Sequence, residues 1–203
     1  MDSNKVYATA DNGALTSDDG GATWQWRAGG AHFDLSIDPS NPDIVWTTYW
    51  DGTGQTWPTF TNDGGVTWFV SGSPVTQTSR GAIAISPSDP DVIYATYSGN
   101  EPADYAFRGA YKSTDGGATW NLMLAPEGNN YMGGQGWYNN VVAVSPIDAN
   151  LVHLAGVEMQ KSTDGGSTWA NVDSGSGNGL HPDYHASPGS SRPVRVERRE
   201  GGS

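Results

Sequence analysis

Cysteine is absent from the 203 residues, so no disulfide staples this chain, an absence compatible with export as well as with a reducing compartment. Basic residues are scarce: Lys and Arg total 10 against 22 Asp and Glu, for a formal net charge of −12. Phosphate binding needs clustered Lys and Arg, so nucleic acid and anionic membranes are excluded as expected partners. No apolar run approaches the length of a membrane span, and the first residues show no basic-then-apolar leader; the signal of an exported parent would have been cut away or lie upstream. Of the few arginines, Arg192, Arg195, Arg198 and Arg199 crowd the last stretch, so residues 189–203 read as an Arg-rich tail, disordered or truncated. What is plentiful is glycine, 28 residues, with nine Trp and nine Tyr, a composition that suits a β core joined by dense turns.

Against this background one eight-residue pattern, S/T-x-D-x-G-x-T-W, occurs four times, at Ser17 to Trp24, Thr61 to Trp68, Ser113 to Trp120 and Ser162 to Trp169. The copies recur roughly every 50 residues, the period of a repeat array. Asp-Gly-Gly between two β-prone runs predicts a tight turn, with glycine supplying the positive φ. Asp19, Asp63, Asp115 and Asp164 are expected to accept from turn amides, and Ser17, Thr61, Ser113 and Ser162 to add a hydroxyl. Gly21, Gly65, Gly117 and Gly166 serve the turn itself. Trp24, Trp68, Trp120 and Trp169 then open the next strand with a ring that can clamp one unit to another.

This pattern resembles the Asp-box, or bacterial neuraminidase repeat, of sialidases, sortilin-like receptors and xyloglucan-degrading glucanases. The resemblance implies a β-propeller, an extracellular or cell-surface parent of bacterial type, and a scaffold role for the box aspartates. A sialidase is not implied, because its three converging arginines and its Arg-Ile-Pro signature are missing; Arg27 and Arg108 fall at strand ends, leaving Arg80 alone near the channel. A glucanase would need two carboxyl groups flanking the scissile bond.

Between the boxes, Asp38-Pro39-Ser40-Asn41-Pro42-Asp43, Ser86-Pro87-Ser88-Asp89-Pro90-Asp91 and Ser145-Pro146-Ile147-Asp148-Ala149-Asn150 mark a second recurrent turn. One repeat is therefore a four-stranded antiparallel blade, and the fold is all-β, a propeller with about four blades present, part of a larger ring. The expected blades cover about 5–27, 32–70, 80–124 and 138–172, with a further strand at 181–186 inside a propeller region of 1–188. The first blade lacks its innermost strand.

Aligning the innermost strands without gaps places His32, Arg80, Asn139 and His181 at the channel mouth, and Asp34 and Asp183 two residues on, with period-two spacing turning each set to one face. Asp34 and Asp183 are the candidate carboxylate pair of a glycoside hydrolase. His181, Asp183 and His185 are weak candidates for a divalent cation, since same-face residues on one strand lie nearly 7 Å apart; no metal or cofactor is otherwise expected. Trp137 and Tyr138, in the glycine-rich segment from Tyr131 to Asn140, combine flat rings with amide donors and suit a sugar face, with His32, Arg80, Asn139, His181 and His185 as further ligand-binding candidates. Trp50, Trp57 and Tyr105 lie on other loops that extend such a surface. The expected role is structural and recognition, with a glycan or extracellular protein as partner and self-association through unpaired blade edges; polysaccharide hydrolysis is the alternative.

Overall fold

A computed structural model describes residues 4–72, 75–100, 105–126 and 130–172, and these hold four antiparallel sheets and no helix. The expected strand at 181–186, the tail at 189–203 and the candidates His181, Asp183 and His185 lie outside the described residues.

The first sheet comprises β1 (Val6–Ala10), β2 (Gly13–Ser17) and β3 (Gln25–Gly29), hydrogen-bonded in chain order. The second runs through β4 (Ala31–Ile37), β5 (Val45–Trp50), β6 (Gln55–Thr61) and β7 (Phe69–Val70), with β8 (Val75–Thr76) pairing further along the same edge of β6. The third holds β9 (Thr78–Ser86), β10 (Asp89–Gly99), β11 (Phe107–Ser113) and β12 (Asn121–Leu122). The fourth holds β13 (Val141–Val144), β14 (Val152–Ala155), β15 (Met159–Ser162) and β16 (Ala170–Asn171). Each box forms the connection to the outer strand of its sheet, which is five residues long in the first sheet and two in the other three.

Neighbouring sheets stack face to face. Trp46, Ile83, Ile85, Ile93, Ala95 and Tyr97 fill the junction of the second and third sheets. Tyr94, Met123, Tyr131, Met132, Val142, Val152 and Leu154 fill that of the third and fourth. Burying each large aliphatic side chain here contributes about 2 kcal/mol. β10 shows why stacking matters: from Val92 to Gly99 every residue is buried, because a sheet lies against each face and leaves no solvent side for polar alternation. β1, by contrast, buries only Tyr7 fully, the residue that faces the second sheet. Strand packing runs from β1 to β4, β4 to β9 and β9 to β13, and no comparable packing joins the first sheet to the last among the described residues.

One local irregularity overturns a sequence expectation. In the β4–β5 pairing, Phe33 opposes Thr48 but Ser36 opposes Trp46, so β4 carries one extra residue, and Asp34 adopts a left-handed φ of 56°. This is a β-bulge, and Asp tolerates its backbone conformation better than most side chains. The bulge breaks period two: Phe33 and Ser36 share a face, with His32 on the other. The gapless alignment is therefore shifted by one beyond the bulge, since Gly81, Ala82 and Ala84 pair regularly with β10, which sets His32 level with Gly81, and Arg80 lies in a second irregularity between Gly81 and Thr78.

Candidate functional site

The four boxes form the same hydrogen-bonded turn. In the first, Ser17 Oγ donates to Asp19 Oδ1 at 2.7 Å and accepts from Gly21 N at 2.9 Å, while Asp19 accepts from Thr23 N and Thr23 Oγ1 at 2.8 and 2.6 Å. Thr61, Asp63, Gly65 and Thr67 repeat the arrangement, as do Ser113, Asp115, Gly117 and Thr119, and Ser162, Asp164, Gly166 and Thr168. Donation from the threonine hydroxyl and amide holds the carboxyl groups of Asp19, Asp63 and Asp164 down to about 2. Both oxygens of each box aspartate are occupied by its own turn, which leaves it to organise backbone.

Behind the turns, polar side chains of one blade satisfy strand amides of the next. β9 is the innermost strand of its sheet, so alternate amides point away from β10 with no backbone partner. Asp34 Oδ2 accepts from Ile83 N and Ser36 Oγ from Ile85 N, each at 2.9 Å, and Asp34 Oδ1 also accepts from Leu35 N at 2.9 Å. The bulge is what aims Asp34 at the neighbouring blade. Although Asp34 keeps some solvent contact, its carboxyl group is enclosed by protein, and that desolvation raises it to about 6 against the opposing pull of the two amides and Arg80. Its proposed partner Asp183 lies outside the described residues.

The other ligand candidates separate into buried and exposed groups. His32, expected at the channel mouth, is only 3% exposed, packed 5.2 Å from the Tyr49 ring and 5.9 Å from Trp68. Burial lowers it to about 4, so it is a neutral core imidazole and is removed from the candidate surface. Asn139 is likewise fully buried. Tyr131, from the same segment, is 2% exposed, and its hydroxyl pairs with Thr96 Oγ1 at 2.8 Å. Trp137 and Tyr138 remain 55% and 50% exposed, with ring centroids 5.4 Å apart, and Tyr105 stands 6.5 Å from Trp137. Arg80 joins them: its Nη1 donates to Trp137 O at 3.4 Å, and its guanidinium lies 5.8 Å from the Phe33 ring centroid. Trp50 and Trp57 are partly buried on the paired strands β5 and β6 and lie apart from this cluster's ring contacts.

Two fasteners escaped sequence reading. Thr48 Oγ1 contacts the carbonyls of both Phe33 and Gly81, at 3.0 and 2.9 Å, tying the second sheet to the third. Asn140 Nδ2 donates to Arg80 O and Thr96 O, both at 3.3 Å, tying the fourth to the third. The recurrence of threonine at Thr48 and Thr96, at one position of the second strand, was the available signal. Among the described residues no group of three His, Asp or Glu side chains could hold a metal ion.

Four sequential antiparallel sheets, stacked face to face with short strands at the outer edge, define the chain as a β-propeller. Solved structures share that architecture. An ancestral GH74 enzyme superposes at 20% identity with a TM-score of 0.60, over 82% of this chain and 22% of that one. A GH74 enzyme of Niastella koreensis does so at 20% identity and a TM-score of 0.63, over 84% of this chain and 28% of the other. This chain thus spans about a quarter of the length of those proteins. No protein-family model matches it, and no curated protein does either.

Proposed function

We propose that this chain is an Asp-box propeller module of an exported protein that recognises a glycan through the surface formed by Trp137, Tyr138, Tyr105 and Arg80. The observation that carries this reading is the exposure of the Trp137 and Tyr138 rings side by side, on a segment whose other aromatic, Tyr131, is buried in the core. A half-exposed tryptophan next to a half-exposed tyrosine keeps apolar area in water, a cost that the flat C–H face of a pyranose ring would relieve. Arg80 adds donors at the edge of that surface, and the rigid β scaffold behind it limits the ordering entropy lost on binding.

The named neighbours are glycoside hydrolases in their own right, which motivates hydrolysis as the alternative for the parent protein. Asp34 does not favour it here, because its oxygens are engaged by Ile83 N and Leu35 N at hydrogen-bonding distance. A titration of the 203-residue chain against neutral β-glucans, with reducing-sugar release followed in the same samples, separates the two. Expected are saturable binding without sugar release, and a loss of at least about tenfold in affinity for Trp137→Ala and Tyr138→Ala, equivalent to roughly 1.4 kcal/mol each. Their melting temperatures should stay at the wild-type value. Unchanged affinity in both variants would overturn the binding surface, and sugar release abolished by Asp34→Asn would establish the hydrolase.

A further inference from the structure

Beside the exposed Trp137 and Tyr138 rings the chain holds a cation to which it gives no counter-charge. Arg27, Arg80 and Arg108 are the described arginines. Arg27 Nε donates to Thr16 Oγ1 at 2.8 Å, and Arg108 donates to Thr76 O and Gln77 Oε1. Arg80 Nε, by contrast, is enclosed and makes no hydrogen bond, and its Nη1 makes only the long, exposed one to Trp137 O at 3.4 Å. Among the described residues the ion pair is that of Lys5 with Asp18, at 3.1 Å, and no carboxylate pairs with Arg80. Asp34 feels the Arg80 charge, but its two oxygens accept the amides of Ile83 and Leu35.

This guanidinium is nevertheless held in place. Arg80 falls in the irregular stretch between Thr78 and Gly81, outside the regular ladder of β9 with β10. Its backbone is pinned from two sides: Arg80 N donates to Ser98 Oγ and Arg80 O accepts from Asn140 Nδ2, each at 3.3 Å. The head rests 5.8 Å from the Phe33 ring centroid. A planar fork mounted in this way loses little further freedom when a ligand arrives. A partly enclosed charge without a counter-ion costs stability, and an oxyanion reaching it from solvent would recover that cost through two parallel N–H···O bonds. The acidity of the chain lies elsewhere. Box turns bond to the first turns of the blades, as Gly64 N to Asp43 O and Gly116 N to Asp91 O, so most described aspartates gather at the end of the strands away from Arg80. Along β9, at roughly 3.3 Å per residue, Arg80 stands about 20 Å from Ser86, against a screening length of about 8 Å at physiological salt.

We propose, building on the glycan surface above, that Arg80 is its specificity-determining residue and takes a sugar carboxylate, so that the ligand is a polysaccharide carrying uronic acid units. A pyranose stacked on the Trp137 and Tyr138 rings turns its ring-edge carboxylate to Nη1 and Nη2, which replaces the long bond to Trp137 O by two charge-assisted ones. A sulfate ester would bring the same charge, and the two sources are separable by experiment.

Isothermal titration calorimetry of the full 203-residue chain tests the site with three β-linked glucose oligomers of equal length: neutral, with one glucose oxidised to glucuronate, and with one glucose sulfated. At low salt the glucuronate oligomer should bind at least about tenfold more tightly than the neutral one, equivalent to roughly 1.4 kcal/mol. That ratio should shrink toward one in about 1 M NaCl, where charges are screened within about 3 Å. Arg80→Gln should bring the ratio to about one at low salt, and Arg80→Lys should keep only part of it, because an ammonium keeps the charge but not the fork. Circular dichroism confirms the fold of each variant. Equal wild-type affinity for the neutral and glucuronate oligomers overturns the carboxylate site and leaves the glycan surface standing; binding of neither overturns both. A preference that survives Arg80→Gln, or a sulfated oligomer bound more tightly than the glucuronate one, also overturns the carboxylate site. If Arg80→Gln loses its β signal, the wild-type ratio decides alone, and a preference that high salt leaves unchanged overturns the site.

Discussion

At the scale of single residues, two kinds of aspartate in this chain titrate in opposite senses. The box carboxyls Asp19, Asp63 and Asp164 sit at about 2, below their unfolded value, so the stability they contribute is present above pH 4 and is lost as pH falls toward 2. Asp34 sits at about 6, above its unfolded value, so the folded state binds the extra proton and stability declines as pH rises from about 4 to 6. Asp34→Asn removes the buried charge and keeps an acceptor for Ile83 N while turning an NH2 toward Leu35 N; urea unfolding should show its stability relative to wild type rise by about 1–2 kcal/mol between pH 4 and pH 7.5. Asp34→Ala, which orphans Ile83 N, should lose about 1–3 kcal/mol at pH 4. The hydroxyl of Ser113 is fully buried and receives Gly117 N at 2.8 Å, so Ser113→Ala should cost about 1–3 kcal/mol by the same measurement.

At the scale of elements, the box turn does two jobs that one substitution can separate. Gly117 has a φ of 84° and the Trp46 ring against its open side, whereas Gly52 has a φ of 79° and nothing within 4 Å. Gly52→Ala should therefore cost about 1–2 kcal/mol, the penalty of left-handed backbone alone. Gly117→Ala adds a collision across the sheet junction and should cost at least about 2 kcal/mol more, read from thermal or denaturant midpoints. The turns were legible because Asp-Gly-Gly leaves few conformations open. The bulge in β4 was not: Asp34 and Leu35 carry no glycine to announce it, and period two was extended through a residue that the pairing skips. Burial of His32 was missed for the same reason, since its face depends on that extra residue, and the split of Tyr131 from Trp137 and Tyr138 depends on contacts from other blades that no local pattern encodes.

At the scale of the whole molecule, all-β architecture and blade order followed directly from the repeat, because sequential hairpins with recurrent turns admit few other packings. The candidate site was legible only in composition: the flat rings and Arg80 stood in the sequence, but their convergence is a product of stacking. Charge acts at this scale as well. A net charge of −12 works against the compact state at neutral pH, and mild acid relieves it while also protonating Asp34. Below pH 4 the box aspartates reverse the trend. The melting temperature should therefore peak near pH 4–5 in a scan from pH 2.5 to 8, and a maximum at or above pH 7 would contradict both assignments.

The outermost strands β7, β12 and β16 are two residues long, whereas Gly21 N, Gly65 N, Gly117 N and Gly166 N each donate inward to a box hydroxyl. Deuterium should therefore enter the molecule in an unusual order. Amides of the short outer strands should exchange early, while single glycine amides in the turns, ordinarily the first to label, should hold their protons almost as long as the central strands. A peptide map by mass spectrometry would show four islands of protection inside the connections, and each would mark a place where a blade is locked from its corner rather than along its edge.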